Sequence, residues 1–155
     1  MRVHSVDDGT TASGDGADHH RRHRRRICTA AIARFKMEIK TCSVLLVEDD
    51  ESVRHLVATF LRRHCSSVDT ASDGEEAISL VRRNRYDTVV LDIMLPKANG
   101  FQVAQAVRSL EHPPRIVVLS AVAGHFEDRF PADTILIEKP FDFSALIDAV
   151  IGSPD

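Results

Sequence analysis

The feature that most limits what this chain can become is a set of short apolar runs that each stop abruptly at polar residues. Ser43-Val44-Leu45-Leu46-Val47 stops at Glu48-Asp49-Asp50, and Thr88-Val89-Val90-Leu91 stops at Asp92. Ile116-Val117-Val118-Leu119 stops at Ser120, and Thr134-Ile135-Leu136-Ile137 stops at Glu138-Lys139-Pro140. Brief runs of this kind, without alternation, suit strands covered on both faces. Ser67 to Ala71 is more polar and reads as an edge strand. Between the runs, apolar residues recur at helical spacing: Val53, Leu56, Val57, Phe60 and Leu61 over 51–63, then Ala77, Leu80 and Val81. The same spacing returns at Val103, Ala104, Val107 and Leu110, closed by Pro113-Pro114, and at Phe143, Leu146, Ile147, Val150 and Ile151. Asp73 with Glu76 three residues later forms a capping-box pattern, and Arg82, Arg83 and Arg85 complement the dipole at that helix's end. Strands alternating with helices predict an α/β fold in three layers, a parallel sheet with right-handed crossovers and helices on both faces.

A parallel sheet brings the carboxyl ends of its strands to one edge, and open α/β sheets bind ligands there. Asp49, Asp92, Ser120 and Lys139 would therefore meet. Each has an ordinary explanation: Asp49 or Asp50 caps the first helix, Asp92 caps the next, Ser120 is a turn residue and Lys139 a surface charge. Taken together they are four coincidences at one edge. Glu48, Asp49 and Asp92 side by side would repel by on the order of several kcal/mol per pair, and a divalent cation would relieve this. A few carboxylates leaving room for water suit Mg²⁺, which commonly also engages a phosphate. The Lys139 ammonium and the Ser120 hydroxyl are groups that hold phosphoryl oxygens, and Asp92 would be the nucleophile.

The chain has 155 residues, enough for one ordinary domain with a tail. Its net charge of −3 conceals two kinds of material: residues 1–42 carry nine Lys/Arg against five Asp/Glu, residues 43–155 eleven against eighteen. Residues 1–26, rich in small polar residues and ending in His19-His20-Arg21-Arg22-His23-Arg24-Arg25-Arg26, read as disordered. The basic run could touch nucleic acid or an anionic surface through charge alone. A plainer account places the true start at Met37. A signal peptide fits poorly, because Ile27 to Ala33 is short and Arg34-Phe35-Lys36 follows it. Cys28, Cys42 and Cys65 lack ligand spacing and predict reduced thiols in a cytoplasmic protein without membrane insertion.

The motifs now have a family likeness. Val47-Glu48-Asp49-Asp50, Val90-Leu91-Asp92-Ile93-Met94-Leu95-Pro96 with Gly100, Leu119-Ser120-Ala121 and Glu138-Lys139-Pro140-Phe141 resemble the receiver domain of bacterial two-component response regulators. The resemblance spans residues 43–151 and leaves 152–155 as a tail. It implies a flavodoxin-like, doubly wound sheet in the order 2-1-3-4-5. It implies that Asp92 accepts a phosphoryl group from a phosphohistidine on a sensor histidine kinase or a histidine phosphotransfer protein. Carried over by position, Glu48, Asp49, Asp92 and the backbone carbonyl of Met94 form the Mg²⁺ pocket, with Mn²⁺ as a substitute. Ser120, Ala121 and Lys139 would contact the phosphoryl group, and the Lys139-Pro140 peptide would be cis. Asn99 stands where Asp is usual before Gly100, and a helix cap accepts either. Leu136 occupies the position where many relatives carry a switch aromatic. Ser120 and Lys139 are nineteen residues apart, which shortens the family's fourth helix.

On this reading the protein is a stand-alone phosphoacceptor switch and not a classical enzyme. A receiver ending at Asp155 is expected to carry no DNA-binding domain, so its output would be contact with a downstream protein or onward phosphotransfer. A phosphorylation-independent binding module is the alternative. A haloacid-dehalogenase-like phosphatase would want a second Asp two residues after the first, where Met94 stands. Apolar Met94 and Val122 flank the site and offer no group to orient water, which predicts a long-lived phosphorylated state.

Overall fold

The alternation of strand and helix patterns becomes a five-stranded parallel sheet in the order β2-β1-β3-β4-β5. The computed structural model describes residues 40–121 and 126–152. The basic arm, Cys28, the start at Met37, Val122 and the last three residues of the tail lie outside the described residues. The strands are β1 (Lys40–Val47), β2 (Cys65–Ala71), β3 (Thr88–Asp92), β4 (Arg115–Ser120) and β5 (Ile135–Glu138). The helices are α1 (Glu51–Leu61), α2 (Gly74–Arg83), α3 (Gly100–Arg108) and α4 (Phe143–Ile151). Between β4 and β5 the only helical element among the described residues is a 3-10 turn, Glu127–Arg129, where the short spacing predicts a shortened helix.

Two-residue alternation splits the strands between two cores. Leu45, Val47, Val89, Leu91, Ile116 and Val118 face Ala77 and Val81 of α2 and Val103, Ala104 and Val107 of α3. Val44, Leu46, Val90, Val117 and Leu119 face Val57, Ala58 and Leu61 of α1 and Leu146, Ile147 and Val150 of α4. The central strands are thus sandwiched, which explains why their sequences never alternate with polar residues.

Element ends differ from the sequence reading by two or three residues. β1 starts at Lys40 and β2 at Cys65, because a register irregularity between Lys40 and Ser43 extends their pairing below the apolar runs. α1 stops at Leu61, where the Arg62 amide bonds the Ala58 carbonyl. The predicted capping box at Asp73 is half formed: Asp73 accepts from the Glu76 amide at 2.8 Å, but Glu76 turns to the amide and hydroxyl of Ser72. The complete box is at Asn99, which accepts from the Gln102 amide at 3.1 Å while Gln102 accepts from the Asn99 amide at 3.0 Å. Caps of this kind stabilise a helix end by about 1 kcal/mol.

Tyr86 gives the fold a spectroscopic reporter. Its ring is buried, and its hydroxyl donates to Asp69 Oδ2 at 2.7 Å. Burial first, and then the Asp69 carboxylate, push its pKa from 10.0 up to about 12. Since the chain has one tyrosine and no tryptophan, absorbance titration is expected to show a single phenolate transition near pH 12. The raised folded-state pKa means that this group's contribution is intact below pH 10 and is lost as pH rises towards 12. A transition near 10 in the folded protein would contradict the burial.

Candidate functional site

Parallel pairing places Val47 of β1 beside Leu91 of β3, so the residues that follow both strands emerge at the same edge. Glu48, Asp49 and Asp92 each present a carboxylate oxygen within 4.8 Å of the other two. At that spacing two full charges repel by about 3 kcal/mol at an effective dielectric of about 20. Glu48 is 3% exposed, so its charge is the most costly of the three. Burial pushes the Glu48 carboxyl above its ordinary pKa, outweighing the opposing pull of Lys139.

The only ammonium among the described residues to meet this cluster is that of Lys139, delivered by the turn after β5. Lys139 Nζ donates to Asp92 Oδ2 at 2.6 Å and to Glu48 Oε2 at 3.1 Å. Burial pulls its pKa down, but the two carboxylates more than compensate and the net shift is upward. The structure has this ammonium held between two carboxylates. One ammonium against three carboxylates leaves the pocket anionic. The other oxygens are held from the backbone: Met94 N donates to Asp92 Oδ1 at 3.0 Å and Asp50 N to Glu48 Oε1 at 3.2 Å.

The capping alternatives resolve. Asp50 caps α1, accepting from the Val53 amide at 2.9 Å, which leaves Asp49 to the pocket. Asn99 caps α3, so Asp92 is free of that duty. Ser120 is buried at the end of β4, and its carbonyl accepts from the Lys139 amide at 2.9 Å, tying the β4 and β5 ends together. Ala121 follows it and is exposed. The Lys139-Pro140 peptide is cis. Leu136 is partly buried and packs against the core that includes Phe130. Met94 stands at the rim with 72% of its surface exposed.

Arg54 escaped the sequence reading. Its guanidinium donates to the backbone carbonyls of Glu48 at 2.8 Å and Asp49 at 3.1 Å, bracing the acidic turn from the first turn of α1. The available signal was its position: a cation near a helix N-terminus opposes the helix dipole and wants a local reason.

Three carboxylates with one lysine, at the carboxyl edge of a flavodoxin-like sheet, are a donor set that could hold a divalent cation beside an anionic group. Comparison with known proteins narrows the class. The family model described as the response regulator receiver domain matches residues 44–151. The transcriptional regulatory protein CutR of Streptomyces coelicolor is 40% identical over 108 residues, covering 67% of this chain and 49% of that protein. A response regulator receiver protein from Sinorhizobium medicae superposes with a TM-score of 0.68 at 28% identity, covering 74% of this chain and 94% of that one. A response regulator of Thermotoga maritima, solved in complex with Mg²⁺-BeF, superposes with a TM-score of 0.62 at 29% identity, covering 72% and 97%. The chain belongs to the response regulator receiver domain family of bacterial two-component systems. It spans about half the length of CutR. Among the described residues no helix is long and apolar enough to cross a membrane.

Proposed function

We propose that the receiver unit, residues 43–151, is a phosphorylation switch in which Asp92 accepts a phosphoryl group from the phosphohistidine of a sensor histidine kinase or a histidine phosphotransfer protein. The observation that carries the reading is Lys139 Nζ, 2.6 Å from Asp92 Oδ2 within a cluster of three carboxylates. Glu48, Asp49, Asp92 and the Met94 carbonyl would hold Mg²⁺, and the same oxygen donors suit Mn²⁺. When bound, the ion would supply positive charge to the phosphoryl oxygens and screen the carboxylates from the incoming anion. The chain's own groups do the rest. An Asp92 carboxylate oxygen forms the new O–P bond as the N–P bond of the phosphohistidine breaks, and the imidazole leaves with the bonding electrons and takes up a proton. Lys139 turns from Asp92 to a phosphoryl oxygen, with the Ser120 hydroxyl and the Ala121 amide as further donors.

Incubation with Mg²⁺ and a small phosphodonor, read by intact mass, tests this: one phosphoryl group is expected, dependent on the metal. Output would pass to a downstream protein by contact or onward transfer. The Mg²⁺-BeF complex of the Thermotoga relative supports the chemistry by likeness. Met94 carries no group to orient an attacking water, so the acyl phosphate is expected to persist for minutes after the donor is removed. Decay within seconds would overturn that expectation.

A further inference from the structure

The loop between β3 and α3 leaves the sheet immediately after Asp92 and carries the Met94 backbone, so whatever fixes this loop fixes one wall of the acidic pocket. Within it Lys97 stands at φ 64°, the only non-glycine residue with positive φ among those described. An L side chain is strained there and glycine is not. Strain of this kind persists where the surroundings over-determine it.

The surroundings are on α2. Lys97 Nζ lies 2.7 Å from Asp73 Oδ2, and the Asp73 side chain, 12% exposed, simultaneously caps α2 through the Glu76 amide. On one side of Lys97, the Pro96 carbonyl accepts from the Gly74 amide at 3.3 Å. On the other, the Ala98 carbonyl rests against Gly74 so closely that a Cβ there would overlap it. Three consecutive loop residues are therefore pinned to the start of one helix. Glycine at position 97 would relieve the strain and keep the two flanking contacts; what it would lose is the ammonium. A solvated surface lysine is the plainer reading, and the side chain is 59% exposed. That reading leaves unexplained why the charge sits on strained backbone and why its partner is a buried carboxylate.

We propose that Lys97 is a positioning residue for the cation pocket, acting through Asp73 to hold the Met94 segment beside Glu48, Asp49 and Asp92. The inference rests on reading that pocket as a Mg²⁺ site. Without the tie the loop samples other turns, and binding must select the competent one, which weakens apparent affinity.

Wild-type protein, Lys97→Gly, Lys97→Arg and Asp73→Asn are titrated with MgCl₂ and followed at the Met94 backbone amide by NMR. Asn caps a helix as well as Asp, so Asp73→Asn removes the charge and keeps the cap. Lys97→Gly and Asp73→Asn are each expected to weaken Mg²⁺ binding by roughly tenfold, the low end for residues that orient a metal's ligands. Lys97→Arg is expected to retain wild-type affinity. The double variant Lys97→Gly/Asp73→Asn is expected to be no weaker than either single one, because both remove the same tie. Unchanged Mg²⁺ affinity in Lys97→Gly overturns the proposal even if its melting temperature falls, and additive losses in the double variant overturn it too. If Mg²⁺ leaves the Met94 amide unmoved in the wild type, the pocket reading itself fails and takes the positioning role with it.

Discussion

Asp92→Asn is expected to bring phosphoryl incorporation from a small donor down to background. The carboxamide matches the carboxylate in shape but is a far poorer nucleophile at phosphorus, and only the ionised oxygen can form the acyl phosphate. The loss will not be one of folding. Asp92 shares its edge of the sheet with Glu48 and Asp49 at 4.8 Å or less, so removing its charge relieves repulsion. The single Asn side-chain oxygen can still accept from Lys139, although its NH₂ then replaces the oxygen that accepts from the Met94 amide, which offsets part of that gain. A melting temperature at or above that of the wild type, together with no label, is the expected pair of results. Label retained in Asp92→Asn would place the phosphoacceptor elsewhere. Partner affinity indifferent to both phosphodonor and Asp92→Asn would instead point to a constitutive binding module.

The second large effect is expected at Gly74, where the α2 start meets the β3–α3 loop. A Cβ at this position would run into the carbonyl oxygen, carbonyl carbon and Cβ of Ala98. Two of those atoms are backbone, so no side-chain rotation can make room, and either α2 or the loop must move. Gly74→Ala is expected to cost about 3 kcal/mol, the upper part of the range for overpacking. This corresponds to a melting temperature lower by roughly 10 °C. Thermal denaturation measures it, and a shift of only a degree or two would show that the contact yields easily. Gly100 is a milder case of the same kind, with the Asp92 carbonyl oxygen 2.6 Å from the position of its Cβ.

Much of the fold was legible because its causes are periodic. The uninterrupted apolar runs at Val44–Val47 and Ile116–Leu119 required cover on both faces, and two cores supplied it. The short interval between Ser120 and Lys139 pointed to a shortened helix, and a 3-10 turn is the only helical element among the described residues there. The capping box was harder, because Asp73-x-x-Glu76 and Asn99-x-x-Gln102 fit the same pattern. Only the proximity of Ser72 to Glu76 decided that the first would be incomplete.

The family could be read from the chain because its motifs are local, each a strand end of a few residues whose chemistry survives in one dimension. The gathering of Glu48, Asp49, Asp92 and Lys139 at one edge followed from the alternation of strands and helices, and the strand order from the resemblance. Which carboxylates the Lys139 ammonium would engage did not, because a flexible side chain is placed by neighbours far along the chain. The brace from Arg54 had only its place near a helix start as a sign, and the tie between Lys97 and Asp73 belonged wholly to the tertiary structure. Sequence records which charges exist, but an ion pair forms only where packing brings two of them within about 3 Å and excludes enough water for the contact to matter.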